Sequence, residues 1–257
     1  MCFDVQAEPP SPPVPLGAAS QESLTLTSQD GTRFEAHAGH RDAGPGGPAI
    51  VILPDVRGLF RFYRELAEQF AHAGVESIAI DYFGRTAGLS GRDDPDWDYM
   101  SHVAQTTPEN IRSDVAAAVA YLRRPGGTQP RAVFTVGFCF GGNNSFLQAS
   151  AGHGLSGVIG FYGYPGARRA GAPSPIERAP QTECPVLGLF GGGDAGIPEA
   201  IISEYDKALH DAGVEGEMVI YPDAPHSFFD RHQATYQSEC DDAWRRMLAF
   251  ISAHTPA

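Results

Sequence analysis

The chain has 257 residues, of which 42% are hydrophobic, and a formal net charge of −13. This length suits one domain that buries roughly three quarters of the surface of its unfolded chain. Nucleic acid and anionic membranes attract clustered lysines and arginines, which this acidic sequence lacks. Neither is therefore predicted as a partner.

Four cysteines are spread widely along the sequence, at Cys2, Cys139, Cys184 and Cys240. Their spacing fits neither a zinc site nor a disulfide framework, and it favours a reducing compartment. The first residues lack a signal-peptide pattern, and no apolar run approaches the roughly 18 to 20 residues that a membrane helix needs. The sequence therefore predicts a cytoplasmic protein without a metal site.

The first 20 residues form a proline-rich segment, with five prolines between Pro9 and Pro15. This composition predicts an extended arm, followed by a single domain over residues 21–257. At the start of that domain, residues 23–27 and 32–38 flank a Ser-Gln-Asp-Gly turn. The pattern predicts a hairpin of two antiparallel edge strands.

The rest of the chain alternates apolar runs with amphipathic segments. Strands are predicted at 49–53, 75–80, 132–136, 156–162, 185–190 and 215–221. Helices are predicted between them where apolar residues recur at helical spacing, one of them beginning at Thr107-Pro108. Residues 82–107 and 163–183 read as loops, and the first is long enough to suggest a functional one. This alternation predicts a mostly parallel, doubly wound α/β sheet.

The sequence Gly137-Phe138-Cys139-Phe140-Gly141-Gly142 lies between a predicted strand and a helix. It has the form of a nucleophile elbow, in which a sharp turn exposes the central side chain above the sheet. Here that side chain is a thiol. Residues 136–142 fit a second interpretation equally well, in which Cys139 is a buried structural residue in a glycine-rich turn.

Two further residues follow predicted strands and complete a catalytic set. Asp194 follows the strand at 185–190, and His226 follows the strand at 215–221. In a doubly wound sheet, reactive groups gather at the carboxyl ends of the strands. The order Cys139, Asp194, His226 is that of the α/β-hydrolase fold. Asp223 is a rival acid, but it lies only three residues from His226.

These residue types suit acyl transfer. A thiol is largely protonated at neutral pH, so an adjacent imidazole is needed to take its proton and return it to a leaving group. Asp194 is predicted to orient the imidazole of His226. The backbone N–H groups of Phe140 and Val56 are predicted to form an oxyanion hole. Asp55 fits either a catalytic role or a helix cap.

Six motifs in order resemble the dienelactone hydrolase family over about residues 20–253. They are Pro54-Asp55-Val56-Arg57-Gly58, Asp81-Tyr82-Phe83-Gly84-Arg85, Gly137-Phe138-Cys139-Phe140-Gly141-Gly142, Phe161-Tyr162-Gly163, Gly192-Gly193-Asp194 and Pro225-His226-Ser227-Phe228. The resemblance implies an α/β-hydrolase fold, a Cys-His-Asp triad, no cofactor, and hydrolysis of lactones or related esters.

The resemblance also exposes two departures. Well-studied members carry a Glu after the third strand that helps to form the thiolate, and the shorter Asp55 stands at that place here. Members acting on dienelactone carry an arginine four residues after the triad histidine, where this chain has Asp230. Arg85 and Arg57 remain as candidate partners for a substrate carboxylate.

The predicted function is a cysteine-dependent hydrolase of lactones or small carboxylic esters. Tyr82 and Tyr162, from two of the motifs, are candidate substrate-binding residues, and the loops at 82–107 and 163–183 are expected to shape the pocket. Two alternatives stay open: a small-molecule binding or sensor protein on the same fold, and a thioesterase or acyltransferase. The oligomeric state is left open between a monomer and a small homo-oligomer.

Overall fold

The computed structural model describes residues 4–89, 91–167 and 172–257. In these ranges, eight strands form one sheet in the order β1-β2-β4-β3-β5-β6-β7-β8. The strands are β1 Ala19–Thr27, β2 Arg33–Arg41, β3 Pro48–Leu53, β4 Glu76–Ile80, β5 Ala132–Phe138, β6 Gly157–Phe161, β7 Val186–Gly191 and β8 Gly216–Tyr221.

The pairing confirms a mostly parallel sheet with an N-terminal antiparallel hairpin. Strands β3 to β8 pair in parallel, whereas β2 pairs antiparallel with both β1 and β4. The expectation of two edge strands in the hairpin was wrong for β2, because β4 covers its second side. Only β1 of the hairpin lies at the edge of the sheet.

Helices cover both faces of the sheet, as the α/β-hydrolase fold requires. They are α1 Arg61–His72, α2 Gly84–Ala87, α3 Tyr99–Val103, α4 Pro108–Leu122, α5 Phe140–Gln148, α6 Pro175–Arg178, α7 Glu199–Asp211 and α8 Gln237–Ala253. Helices α1 and α8 pack on one face, where Phe70 contacts Trp244, and α4, α5 and α7 pack on the other, where Phe146 of α5 contacts Tyr205 of α7. No helix among the described residues is long and apolar enough to cross a membrane.

The segment between β4 and α4 is more ordered than its sequence suggested. It contains α2 and α3, which at four and five residues are too short to show a helical period. A buried ion pair holds this segment to the sheet: the Arg92 guanidinium lies 2.9 Å from Asp81 Oδ2. At its end, the Thr107 side chain accepts a hydrogen bond from the Asn110 amide, which confirms the predicted N-cap.

The proline-rich segment packs against the domain. Pro9, Pro10 and Pro12 are buried, and Ala7 lies against the main apolar core. The indole Nε1 of Trp244 in α8 donates a hydrogen bond to the Pro10 carbonyl at 2.8 Å. The division into an arm and a single domain stays a prediction.

Candidate active site

Four of the predicted site residues follow four neighbouring strands. Cys139 follows β5, Tyr162 follows β6, Asp194 lies after β7 and His226 lies after β8. Because these strands are parallel, their carboxyl ends share one edge of the sheet. The fold therefore gathers the four side chains at that edge.

The turn at Cys139 has the strained geometry of an elbow. Its φ is 54° and its ψ is −108°, which is unusual for a residue other than glycine. A Cβ on Gly137 would lie 1.9 Å from the Gly141 carbonyl oxygen, and one on Gly141 would lie 2.1 Å from the Leu53 carbonyl oxygen. The glycines thus permit close backbone packing, while Cys139 itself takes the left-handed conformation.

Contacts on both sides hold Cys139 in place. Its amide donates to the Phe161 carbonyl at 3.0 Å, and its carbonyl accepts from the Asn143 amide at 3.2 Å. Cys139 is in no disulfide among the described residues, and it is 4% exposed. Helix α5 begins at Phe140, so the positive end of its dipole lies beside Cys139, where it favours negative charge.

Asp194 and His226 form a close pair. Nδ1 of His226 lies 2.5 Å from Oδ2 of Asp194, whose Oδ1 accepts from the Gly196 amide at 2.9 Å. Burial acts to raise the pKa of Asp194, but the hydrogen bond and charge of His226 outweigh it and hold that pKa below its ordinary value. An ionised carboxylate can only accept, so Nδ1 carries the proton and Nε2 is left as the basic nitrogen. The rival acid Asp223 is exposed.

Tyr162, which follows β6, lies beside His226. Its ring centroid is 4.9 Å from that of His226, and its φ of 37° is left-handed. Burial is the largest cause of the raised pKa of Tyr162, followed by the charges of Asp230 and Cys139. The hydroxyl is buried and has no hydrogen-bond partner among the residues the structure describes. Such an orphaned donor is costly unless a ligand satisfies it.

The segment after β3 forms a tight turn. The Asp55 carbonyl accepts from the Gly58 amide at 3.2 Å, and the Asp55 carboxylate accepts from the Arg57 amide at 2.8 Å. The intervening Val56 N–H takes no part in either bond. Asp55 therefore stabilises its own turn, while its amide donates to the Tyr63 hydroxyl at 3.0 Å.

The model of the dienelactone hydrolase family matches residues 34–255, which is most of the chain. The chain belongs to the dienelactone hydrolase family. The resemblance drawn from the six motifs is thereby confirmed, and the predicted class, a hydrolase of ester or lactone bonds, is that of the family.

Several relatives show the same likeness along nearly their whole length. A Salmonella typhimurium protein called "Putative carboxymethylenebutenolidase" is 28% identical over 244 residues, covering 93% of this chain and 90% of the relative. A Bradyrhizobium protein, "Probable 2-oxo-3-(5-oxofuran-2-ylidene)propanoate lactonase", is 25% identical and covers 80% of this chain and 84% of its own length. The crystal structure of a "Putative Dienelactone Hydrolase" from Klebsiella pneumoniae superposes with a TM-score of 0.81 at 25% identity, covering 92% of this chain and 99% of that one.

The two arginines considered as carboxylate partners in this dienelactone hydrolase family member have other partners. Arg85 pairs with Asp30 at 2.8 Å and with Asp114 at 2.7 Å, which ties α2 to the hairpin turn and to α4. Arg57 is buried and donates through Nε to the Arg92 carbonyl at 2.8 Å. The structure thus gives no support to substrate binding by either arginine, and both roles stay predictions.

Where some members of the dienelactone hydrolase family carry an arginine, this chain has the buried carboxylate of Asp230. It is 1% exposed, and its charge is second only to burial in raising the pKa of Tyr162. The charge of Asp230 therefore acts on the Tyr162 hydroxyl. A carboxylate here opposes an anionic substrate group instead of attracting it.

Three aromatic side chains near the site, those of Tyr82, Trp97 and Tyr63, make hydrogen bonds that the sequence did not predict. The Tyr82 hydroxyl donates to the Pro54 carbonyl at 2.8 Å, and its ring lies edge-on to Phe140 at 5.4 Å, so Tyr82 joins both predicted oxyanion segments. The Trp97 indole donates to the Arg57 carbonyl at 3.1 Å. The third is the Tyr63 hydroxyl, which accepts from the Asp55 amide; helical periodicity indicates the buried face of a helix but not the partner of a hydroxyl.

The described residues also bear on metal binding. Within residues 4–89, 91–167 and 172–257, no group of three or more His, Cys, Asp or Glu side chains is arranged to hold a metal ion. The expectation that the protein needs no cofactor stays a prediction.

Proposed function

We propose that this family member hydrolyses lactones or small carboxylic esters through a Cys139-His226-Asp194 triad. The observation that carries the proposal is the 2.5 Å contact between His226 and Asp194. Asp194 and His226 follow strands that lie two and three positions in the sheet from β5, the strand that leads into the strained turn at Cys139. That contact fixes the imidazole tautomer in which Nε2 can act as a base.

In the first half of the reaction, His226 Nε2 takes the thiol proton and Cys139 Sγ attacks the substrate carbonyl carbon. The N–H groups of Phe140 and Val56 stabilise the tetrahedral oxyanion, aided by the positive end of α5. The proton on His226 then passes to the leaving oxygen as the carbon–oxygen bond breaks. An acyl group remains on Cys139 as a thioester.

In the second half, a water molecule attacks the thioester carbonyl and gives one proton to His226. The carbon–sulfur bond breaks, the proton returns to sulfur, and the acid product leaves. Asp194 stabilises the imidazolium in both halves, because its carboxylate stays ionised at neutral pH. For a lactone, the leaving oxygen belongs to the same molecule, so the product is a hydroxy acid.

Tyr162 is proposed as the substrate-binding donor. Its hydroxyl is buried beside His226 and lacks a partner in the described part of the chain. Substrate bound at Cys139 would give that hydroxyl an acceptor. Tyr82 is proposed to act indirectly, by holding Pro54 and Phe140 in place.

A lactone and ester panel tests the proposal, with wild-type protein compared with Cys139→Ala and Cys139→Ser. We expect an initial burst with p-nitrophenyl acetate and a mass increase of one acetyl group on the wild-type chain, and neither in Cys139→Ala. Cys240→Ala is the matched control, since the Cys240 thiol is buried against the Phe228 carbonyl and burial raises its pKa to about 12. Full activity in Cys139→Ala, or no turnover of any ester by wild type, would contradict the proposal and favour a binding protein.

A further inference from the structure

A cavity of about 260 Å³ lies beside the elbow. Its walls come from three segments: Val103 to Ile111 around the start of α4, the first two turns of α5, and residues 172–173 after β6. Phe140, whose amide is the proposed oxyanion donor, forms one wall. The cavity therefore starts at Phe140, the residue after Cys139, and runs along α5.

None of the described residues that line this cavity carries a charge. The lining residues are Val103, Thr106, Thr107, Pro108, Ile111, Phe140, Asn143, Asn144, Leu147, Ala172 and Pro173. An anionic group placed there would lose hydration without meeting a cation among these lining residues, which is strongly unfavourable. The cavity suits a neutral ligand with an apolar body.

Two amides set the polar character of the cavity. Asn143 and Asn144 are only 8% and 4% exposed. Each uses its NH₂ group internally, Asn143 on the Tyr164 carbonyl at 2.7 Å and Asn144 on the Phe140 carbonyl at 2.8 Å. Neither carbonyl oxygen accepts a hydrogen bond within the described part of the chain, and neither is fully enclosed. Both oxygens are therefore acceptors open to a ligand.

We propose that this cavity holds the acyl group of the substrate, and that this group is neutral, largely apolar, and carries a hydroxyl or N–H donor for Asn143 or Asn144. The inference rests on the proposed function and specifies its substrate class. The acyl group is the part that stays on Cys139 through both halves of the reaction, so a pocket beside the elbow can hold it throughout. Leu147 lies about 10 Å along α5 from Phe140, which matches a group of arylpropanoyl length.

The test places a larger side chain in the cavity at Leu147, which lines its end away from Phe140. Leu147→Trp is compared with Leu248→Trp, the same change at another partly buried helix position that lines a separate cavity. The readout is the ratio of kcat/KM for p-nitrophenyl 3-(4-hydroxyphenyl)propanoate to that for p-nitrophenyl acetate. We expect Leu147→Trp to lower this ratio about tenfold or more, and Leu248→Trp to keep the wild-type ratio. Equal ratios in the two variants would overturn the proposal, as would a wild-type preference for the anionic hemisuccinate ester.

A second measurement separates the cavity from the chemistry. Binding of 4-ethylphenol to the full-length protein is followed by calorimetry, which needs no turnover. We expect Leu147→Trp to lose the binding and Leu248→Trp to retain it. If binding follows this pattern while wild type hydrolyses no ester, the cavity stands and the proposed function fails. If esters are hydrolysed but Leu147→Trp binds the phenol as wild type does, the cavity assignment fails alone.

Discussion

Two regions of the site edge keep their shape by different means. After β5, β6 and β8 lie Cys139, Tyr162 and Ser227, three of the four residues other than glycine with left-handed φ in the described chain. In the described segments after β3 and β4, no residue other than glycine has a left-handed φ. Buried polar contacts, notably the Arg92–Asp81 ion pair, hold the backbone there. The region that carries Cys139 and His226 stores backbone strain, and close packing keeps it there. The region that presents Val56 relies on charge and hydrogen bonds.

The largest effect should come from the triad itself. Asp194→Asn keeps the shape of the side chain but removes the charge that fixes the His226 tautomer, so kcat should fall by about 10³- to 10⁴-fold with little loss of fold. Ester hydrolysis and circular dichroism measure the two quantities. Asp223→Asn, which changes an exposed carboxylate on the loop of His226, should leave kcat near wild type. A larger loss at Asp223 than at Asp194 would reverse the assignment of the acid.

The charge-held region is broken by Arg92→Met. This change leaves the Asp81 carboxylate buried without its ion-pair partner and should lower the free energy of unfolding by about 3 kcal/mol. Urea denaturation measures the loss. Lys207→Met removes the exposed Lys207–Asp211 pair on α7 and should cost less than about 0.5 kcal/mol. Similar losses in the two variants would show that burial does not distinguish these pairs.

The packing-held region is broken by Gly137→Ala. The new Cβ would meet the Gly141 carbonyl oxygen at 1.9 Å, and backbone atoms cannot move aside cheaply. We expect a loss of about 2 to 3 kcal/mol or more in unfolding free energy, together with loss of esterase activity. Gly44→Ala is the control, because a Cβ there meets nothing within 4 Å. A Gly137→Ala protein with wild-type stability and activity would mean that the elbow is not held by close packing.

The smallest effect concerns acid sensitivity on the hairpin side. Burial is the main cause that lowers the pKa of His37, with the charges of Arg64 and His40 adding to it. The unfolded chain then takes up a proton below about pH 6.5 while the folded His37 stays neutral. Stability from neutral His37 is thus full above that pH and is lost as the pH falls towards the folded pKa.

His37→Gln should therefore reduce the fall in unfolding free energy between pH 7 and pH 5, measured by urea denaturation at both values. His210→Gln, at an exposed position on α7, serves as the control. If the unfolding free energy of His37→Gln depends on pH as that of the wild type does, His37 does not contribute to acid sensitivity.

Much of the fold was predictable because its signals are local. The apolar runs of β3 and β5 and the Thr107 cap depend only on neighbouring residues, and the structure has them where the sequence placed them. The positions of Cys139, Asp194 and His226 could be inferred as well, since the edge of a parallel sheet collects whatever follows its strands. Their catalytic roles remain proposals.

Other features depend on contacts between distant segments. The partners of Arg85 are Asp30 and Asp114, 55 and 29 residues away, and no local pattern distinguishes such a pair from a free arginine at a substrate site. The same holds for Trp97 with Arg57, and for β2, whose second neighbour is set by topology. The short helices α2, α3 and α6, which lie in the predicted loops 82–107 and 163–183, were missed because a helix of little more than one turn shows no recurring apolar stripe.

The hydrogen bond from Trp244 to Pro10 joins residues 234 positions apart. On a ribosome the arm is made first, yet its seat on α8 does not exist until nearly the whole chain has been synthesised. The proline-rich composition suits this delay, because an extended segment with few backbone donors has little structure of its own to form in the meantime. The contact between Pro10 and Trp244 can therefore form only after α8 has been made.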